Sequence, residues 1–171
     1  IFLIIHVLLS YSTSETFLRT SMMGGLGGAA LIRYIFHIFI RKNIIERHPF
    51  KIKKLEKVSD SIIRLEFKPE RNKYIFKAGQ YLYLRIKSEK IPMEEHPFTI
   101  SSAPGEDGVS LTVKTIGDYT NKLEHLGESD IVLIDGPYGK FSPVPDLRNK
   151  IFIAGGIGIT PFLSILKDWK G

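Results

Sequence analysis

The chain has 171 residues and a net charge of +6, a length that allows one ordinary domain and part of another. It contains no cysteine, which excludes disulfide scaffolds, thiolate zinc sites and cysteine nucleophiles from this sequence. The basic residues cluster just after an apolar segment, so the charge favours a lipid bilayer as partner and not nucleic acid. The sequence begins within an apolar run and ends just after its first strand–turn–helix pattern. We therefore expect a fragment of a longer protein.

Two apolar segments at the start of the chain predict membrane helices. Residues 1–10 are too short to span a bilayer and are interpreted as the end of a partial helix, whereas a full helix is expected at about 21–42. A polar loop is expected at 11–20. A signal peptide is disfavoured because the sequence has no basic n-region and no cleavage site after the first segment. We assign residues 1–44 to the end of a transmembrane domain.

The distribution of charge predicts how the second helix is oriented. The preceding loop carries Glu15 and Arg19, which cancel, whereas six lysines and arginines lie between Arg41 and Lys54. The positive-inside rule then places everything after the helix on the cytoplasmic side.

His6 lies inside the first apolar run. A buried histidine is commonly only hydrogen-bonded, but an ionisable group inside a membrane more often has a function. A neutral imidazole there could bind haem iron as an axial ligand. On this residue alone both interpretations stay open.

From about residue 49 the pattern changes to short strands separated by turn residues. Six short strands within about a hundred residues predict an antiparallel β-barrel or sandwich, assigned to residues 45–146. One short helix is expected at Thr120–Leu126, with Thr120 as its N-cap. The six strands are expected at 51–58, 61–68, 81–86, 98–101, 110–114 and 131–135.

The last segment, residues 147–171, has a different pattern. Residues 151–154 form a continuous apolar run, which is typical of a strand buried on both faces in a parallel sheet. AGGIGITP, at 154–161, then keeps the first two glycines of a dinucleotide-binding loop but has Pro161 at the third. Thr160 is predicted as the helix N-cap and Pro161 as the first helical residue. The alternative is a tight strand–helix connection without a ligand.

The most informative stretch is HPFTISSAP, at residues 96–104. Phe98 could stack on a flat ring, and Thr99 could hydrogen-bond to the edge of that ring. Taken alone, however, these residues favour an ordinary edge strand with Phe98 in the core.

HPFTISSAP closely resembles the flavin signature of the NADPH oxidase and ferric reductase family. These are membrane flavocytochromes whose cytoplasmic half is similar to ferredoxin–NADP reductase. Four more segments match in family order: AGQY at 78–81, KTIGDYT at 114–120, DGPYG at 135–139, and AGGIGITP. The resemblance covers essentially the whole chain. It implies membrane helices, an antiparallel FAD-binding barrel of the ferredoxin reductase type, and the first βα unit of a truncated nucleotide-binding domain.

The resemblance also implies which residues bind cofactors. Phe98 would pack on the isoalloxazine ring, Thr99 would hydrogen-bond near its reactive nitrogen, and His96 would contact the ribityl–phosphate side. Lys114 would supply charge to the pyrophosphate; many relatives have arginine there, and lysine lacks its bidentate fork, so weaker flavin binding is expected. The residues implied to bind FAD are His96, Pro97, Phe98, Thr99, Ile100, Ser101, Ser102, Lys114, Gly117, Thr120 and Tyr138. Those implied to bind the nicotinamide dinucleotide are Gly155, Gly156, Gly158, Thr160 and Pro161.

The implied function is electron transfer across a membrane. NAD(P)H would reduce FAD on the cytoplasmic side, and haem would pass electrons on to oxygen or ferric iron. His6 would be a haem ligand, but the other ligands would lie in helices absent from this sequence, so the fragment is expected to be inactive alone. Two alternatives stay open: a membrane-anchored flavin reductase that feeds an oxygenase without haem, and a degenerate flavin-binding sensor or scaffold.

Overall fold

The computed structural model describes residues 13–40, 49–127, 129–142, 149 and 151–169. The chain divides into two units, Ile1–Ile44 and Ile45–Gly171. His6 lies outside the described residues, so its predicted role as a metal ligand stays a prediction.

The first unit contains a single described helix. Helix α1 spans Thr13–Ile35 and continues as a π-helical turn, Phe36–Ile40. Residues Thr16–Phe39 are long and apolar enough to cross a membrane, by length and composition. A helix is present where the full helix was predicted at 21–42, as far as residue 40, and it begins earlier than predicted. That it crosses a membrane stays a prediction. The polar loop predicted at 11–20 is wrong from Thr13 onward, where the chain is helical. Thr20 satisfies its hydroxyl within the helix, since its Oγ1 donates to the Thr16 carbonyl at 2.6 Å.

The second unit is built on a six-stranded antiparallel sheet with the order β4-β3-β6-β1-β2-β5. All six predicted strands are confirmed, with small differences at their ends. The strands are β1 Pro49–Ser59, β2 Ile62–Pro69, β3 Tyr81–Lys87, β4 His96–Thr99, β5 Val109–Lys114 and β6 Ile131–Tyr138.

The predicted barrel is present only in part. The two edge strands, β4 and β5, meet at one isolated bridge between Ile100 and Leu111, next to a hydrogen bond from the Ser101 amide to the Ser110 carbonyl at 2.8 Å. Within the described residues no continuous ladder joins these edges. Strand β4 is short and contains Pro97, which cannot donate a ladder bond and so limits pairing there.

Alternation along the strands separates the core from the functional face. Because successive side chains of a strand point to opposite faces, the burial of Leu82, Leu84 and Ile86 in β3 leaves Tyr81 and Tyr83 on the other face. The largest fully buried side chains include Ile63, Leu65 and Phe67 of β2 and Leu82, Leu84 and Ile86 of β3.

The short helix between β5 and β6 begins and ends earlier than predicted. Helix α2 spans Asp118–Lys122 and is followed by a 3₁₀ turn, Leu123–His125. The N-cap is Gly117, and Thr120 lies inside the helix, so the predicted cap is wrong. Thr120 Oγ1 nevertheless accepts hydrogen bonds from the Gly117 amide (3.0 Å) and the Ile116 amide (3.2 Å). The threonine therefore stabilises the helix start from within.

Residues 151–155 have no regular structure, so the strand predicted at 151–154 is wrong. Ile151 and Ile153 are 90% and 88% exposed. A parallel strand needs hydrogen-bonded neighbours, and no strand in the described part of the chain lies beside this segment.

Helix α3 spans Thr160–Asp168 and follows directly on a 3₁₀ turn, Gly156–Ile159. Its N-cap is Ile159, so Thr160 is the first helical residue and Pro161 the second. The predicted cap is wrong because the chain enters the helix through helical turn geometry instead of an extended residue. Pro161 is still tolerated, since the first amides of a helix have no partner within it.

Candidate functional site

A cavity of about 470 Å³ opens on the second unit. It brings together three residues predicted to bind flavin, Pro97, Phe98 and Thr99, and one predicted to bind the nicotinamide cofactor, Pro161. These residues are far apart in sequence, and the fold brings Pro161 beside the segment predicted to bind flavin. The remaining lining residues are Gly79, Tyr81, Tyr83 and Phe141.

Pairing of β3 with β4 sets one wall of the cavity. Thr99 lies opposite Tyr81, and Pro97 lies opposite Tyr83, so the four side chains share one face of the sheet. Phe98 packs partly against the main hydrophobic core and also borders the cavity. The core interpretation and the ligand interpretation of Phe98 are therefore compatible.

Tyr138 supports the tyrosines of the cavity from β6. Its ring centroid lies 5.9 Å from that of Tyr81 and 5.8 Å from that of Tyr83, distances typical of favourable aromatic pairs. Its hydroxyl donates a hydrogen bond to Asp135 Oδ1 at 2.8 Å. Strand β6 continues past its predicted end at residue 135 to Tyr138, because the register with β3 shifts between Tyr81 and Tyr83 and absorbs the irregularity as a bulge.

Gly79 forms the tightest part of the wall. It has a φ of +88°, and a Cβ there would lie 1.8 Å from the carbonyl oxygen of Phe141. Gln80 Nε2 donates to the Gly139 carbonyl at 3.1 Å, and Ser142 Oγ donates to the Ala78 carbonyl at 2.7 Å. The segment before β3 and the segment after β6 are thus joined closely, and only glycine fits at their contact.

His96 lies beside a buried tyrosine instead of lining the cavity. Its ring centroid is 3.9 Å from that of Tyr119, and its Nε2 forms a hydrogen bond with Glu94 Oε2 at 2.8 Å. Burial, and secondarily the charge of Glu94, raises the pKa of Tyr119 to about 12. The Tyr119 hydroxyl is buried and finds no hydrogen-bond partner among the described residues. Such an atom is suited to receive a polar group of a ligand.

Three other predicted residues lie together near the start of α2. Lys114 is the exposed last residue of β5 and pairs with Ile62. Gly117 and Thr120 form the helix entry described above. These residues do not line the cavity, and the Thr120 hydroxyl is engaged with the local backbone. A contact with flavin phosphates remains a prediction.

Ile100, Ser101 and Ser102 are buried and hold β4 to the neighbouring edge of the sheet. Ser101 Oγ donates to the Ser110 carbonyl at 3.1 Å, and Ser102 Oγ accepts from the Ser110 amide at 3.0 Å. Thr112 Oγ1 donates to Ser101 Oγ at 3.1 Å. Their side chains face the protein interior, so they position the preceding residues of β4.

The glycines of AGGIGITP lie on an open loop. A Cβ at Gly155, Gly156 or Gly158 would meet no atom of the described residues within 4 Å, and Gly156 has a φ of +51°. The loop turns tightly through a hydrogen bond from the Gly158 amide to the Gly155 carbonyl at 3.0 Å. Thr160 is buried and Pro161 borders the cavity. Space beside the loop is therefore available to a ligand.

Four lining residues were not predicted as site residues: Gly79, Tyr81, Tyr83 and Phe141. A signal for the tyrosines exists in the sequence, because the alternation in YLYLRI places both on the face opposite the leucines. Phe141 carries no such signal, since its place beside Gly79 depends on two segments that are distant in sequence.

Comparisons with known proteins show which family the sequence is similar to. Residues 47–142 match a family model described as an FAD-binding domain. The "Respiratory burst oxidase homolog protein E" of Arabidopsis thaliana is 31% identical, over 98% of this chain and 20% of that protein. A superoxide-generating NADPH oxidase heavy chain of Dictyostelium discoideum is 40% identical, over 64% of this chain and 24% of that protein.

A solved structure shows the same fold. A ferredoxin NADP+ reductase from Neisseria gonorrhoeae with bound FAD and NADP is 26% identical, with a TM-score of 0.61 over 70% of this chain and 50% of that chain. The chain spans only about a fifth to a quarter of the length of the two oxidase relatives. The resemblance predicted from the sequence is confirmed. Since the family model matches more than half of the chain, the chain belongs to the FAD-binding domain family.

Proposed function

We propose that the chain binds FAD in the cavity beside Phe98 and Thr99, as part of an NAD(P)H-dependent oxidoreductase. When bound, FAD would accept a hydride from the nicotinamide cofactor and pass the electrons on singly. The observation that carries the proposal is that the cavity joins the predicted flavin strand to Pro161 of the predicted nucleotide loop.

The residues of the cavity fit a flavin ring. A volume of about 470 Å³ falls in the ordinary range for small-molecule sites, roughly 300–1,000 Å³. Its walls are largely aromatic and apolar, which suits a flat ring, and Thr99 supplies a hydroxyl for the ring's polar edge. Tyr81 and Phe98 would exclude water from the polar edge of the ring.

The phosphates would lie toward His96 and α2. The unpartnered Tyr119 hydroxyl next to His96 would gain a hydrogen bond to a phosphate or ribityl oxygen. Lys114 would supply positive charge, and Gly117 begins the turn whose amides would face the pyrophosphate.

The nicotinamide cofactor would approach from the loop at 155–160. Its open glycines leave room for a phosphate, and Pro161 places the start of α3 at the edge of the cavity. The reductase from Neisseria gonorrhoeae, which was solved with both FAD and NADP, supports this pairing of cofactors.

For the whole protein we propose electron transfer across a membrane to oxygen. The apolar helix Thr16–Phe39 would lie in the bilayer, and the basic residues after it favour a cytoplasmic FAD domain. The relative named as a superoxide-generating NADPH oxidase favours oxygen as acceptor over ferric iron. Haem would be bound in the membrane, with His6 as one ligand.

Titration of the purified chain with FAD tests the proposal. Removing the ring contact and the hydroxyl together, by Phe98→Ala with Thr99→Ala, should weaken FAD binding at least about tenfold, since each contact contributes of the order of 1 kcal/mol. Val58→Ala, at an exposed position of β1 outside the cavity, serves as the control and should bind FAD like the parent chain. Unchanged FAD affinity in the double variant, measured by flavin fluorescence, would show that the site lies elsewhere.

A further inference from the structure

A buried hydrogen bond ties helix α3 to the segment that follows β4. Ser164 is 0% exposed, and its Oγ donates to the Ser102 carbonyl at 2.6 Å. Ser102 lies three residues after Thr99, which lines the cavity. One turn before Ser164, Pro161 lines the same cavity. The bond therefore connects the two segments that the proposed function assigns to different cofactors.

The acceptor side of this bond is held rigidly. Ser102 Oγ accepts from the Ser110 amide, and the neighbouring Ser101 amide donates to the Ser110 carbonyl at 2.8 Å. A displacement of Ser102 would break these contacts with β5. The packed interior resists small shifts. The hydrogen bond from Ser164 therefore fixes the position of α3 relative to the sheet.

A second contact lies one turn further along the helix. Lys167 Nζ donates to the Ser101 carbonyl at 3.3 Å and lies 3.8 Å from Glu106 Oε1. The same carboxylate oxygen accepts from the Ala103 amide at 2.8 Å. This pair is partly exposed, so it contributes less than a buried bond. It nonetheless fastens α3 to the loop after β4.

The apolar face of α3 contacts the other wall of the cavity. Phe162 and Ile165 are buried against Ala78, the neighbour of Gly79. The ring of Phe162 lies 5.5 Å from that of Phe141, which lines the cavity. Helix α3 thus contacts one lining residue of the cavity, Phe141, and the segments next to Thr99 and Gly79. A ligand that orders these parts of the cavity would also order the helix.

We propose that Ser164 is a positioning residue that couples occupancy of the flavin cavity to the docking of α3 and its nucleotide loop. The inference rests on the proposed function, since it takes FAD as the occupant. This coupling matters for hydride transfer, because a misplacement of the reacting groups by about 1 Å can cost roughly 100-fold in rate. Coupling is reciprocal, so a helix held by Ser164 also favours the cavity shape that binds FAD.

Hydrogen exchange of the α3 amides, with and without FAD, tests the coupling in the full 171-residue chain. In the parent chain, saturating FAD should slow exchange across residues 162–168 about tenfold, because local opening of the helix would disturb the occupied cavity. In Ser164→Ala, FAD should still bind, but this slowing should fall to about twofold. Ser164→Cys keeps a weak donor of similar shape, so FAD should slow exchange by an intermediate factor in this variant. The cysteine variant replaces the alanine variant if that one does not fold.

Leu166→Ala is the matched control, because Leu166 lies on the exposed face of the same helix and should keep the full response to FAD. A purely structural serine would speed exchange equally with and without FAD, leaving the difference unchanged in Ser164→Ala. That result, or an absence of slowing in a parent chain that binds FAD, overturns the inference while the proposed function stands. A parent chain that fails to bind FAD overturns both.

Discussion

Substitution of Gly79 by alanine probes the wall of the cavity at its closest contact. The φ of +88° costs a residue with a Cβ about 1–2 kcal/mol. The new Cβ would also lie 1.8 Å from the Phe141 carbonyl oxygen, and overpacking against backbone costs about 1–3 kcal/mol more. We expect Gly79→Ala to lose about 2–5 kcal/mol, a large part of the 5–15 kcal/mol typical of a domain.

Gly105→Ala separates these two contributions. Gly105 has a similar φ of +95°, but a Cβ there meets nothing within 4 Å, so only the conformational cost of about 1–2 kcal/mol applies. Urea unfolding of both variants measures the difference, and FAD titration should show weaker binding only for Gly79→Ala. Equal losses of stability in the two variants would refute the reasoning, because they would mean that the wall yields without cost.

Three further predictions concern single side chains. Lys114→Arg should tighten FAD binding severalfold in a fluorescence titration, because a guanidinium can form two bonds to a phosphate; an unchanged affinity would remove Lys114 from the site. Tyr119 keeps its proton in the folded state up to a pKa of about 12, whereas the unfolded phenol titrates near 10. Stability should therefore fall as the pH rises from about 10 to 12, and Tyr119→Phe should reduce this fall in melting curves. An identical fall in the variant would contradict the assignment. In the full-length protein, His6→Leu should remove roughly half of the haem absorbance, and full retention would exclude His6 as a ligand.

The six strands of the second unit were predictable because their signal is local. Alternation in segments such as Tyr81–Lys87 reports directly which side chains face the core. The helix starts were less predictable. Thr120 and Thr160 have the chemistry of N-caps, but the cap depends on how the chain enters the helix, and here it enters one or more residues earlier.

The strand predicted at 151–154 failed for a different reason. A continuous apolar run indicates burial between neighbours, yet the residues cannot report whether such neighbours are present. In the described part of the chain Ile151 and Ile153 stay exposed. A parallel strand is a property of a sheet, so its sequence alone does not determine it.

The sequence predicted some of the residues that line the cavity but not all of them. HPFTISSAP pointed to seven residues. Pro97, Phe98 and Thr99 line the cavity, whereas His96, Ile100, Ser101 and Ser102 do not. Tyr83 and Phe141 were missed because their place depends on strand register and on the close approach at Gly79. These are contacts between residues distant in sequence, which no local pattern encodes.

Anaerobic addition of NADPH to the FAD-loaded full-length protein tests the central claim most directly. The account predicts that the oxidised flavin absorbance bleaches, and that admitting oxygen restores it with formation of superoxide. Phe98→Ala with Thr99→Ala should lose the bleaching together with the flavin. A protein that retains FAD but shows no bleaching with NADPH or NADH would contradict the proposed oxidoreductase and favour a flavin-binding sensor.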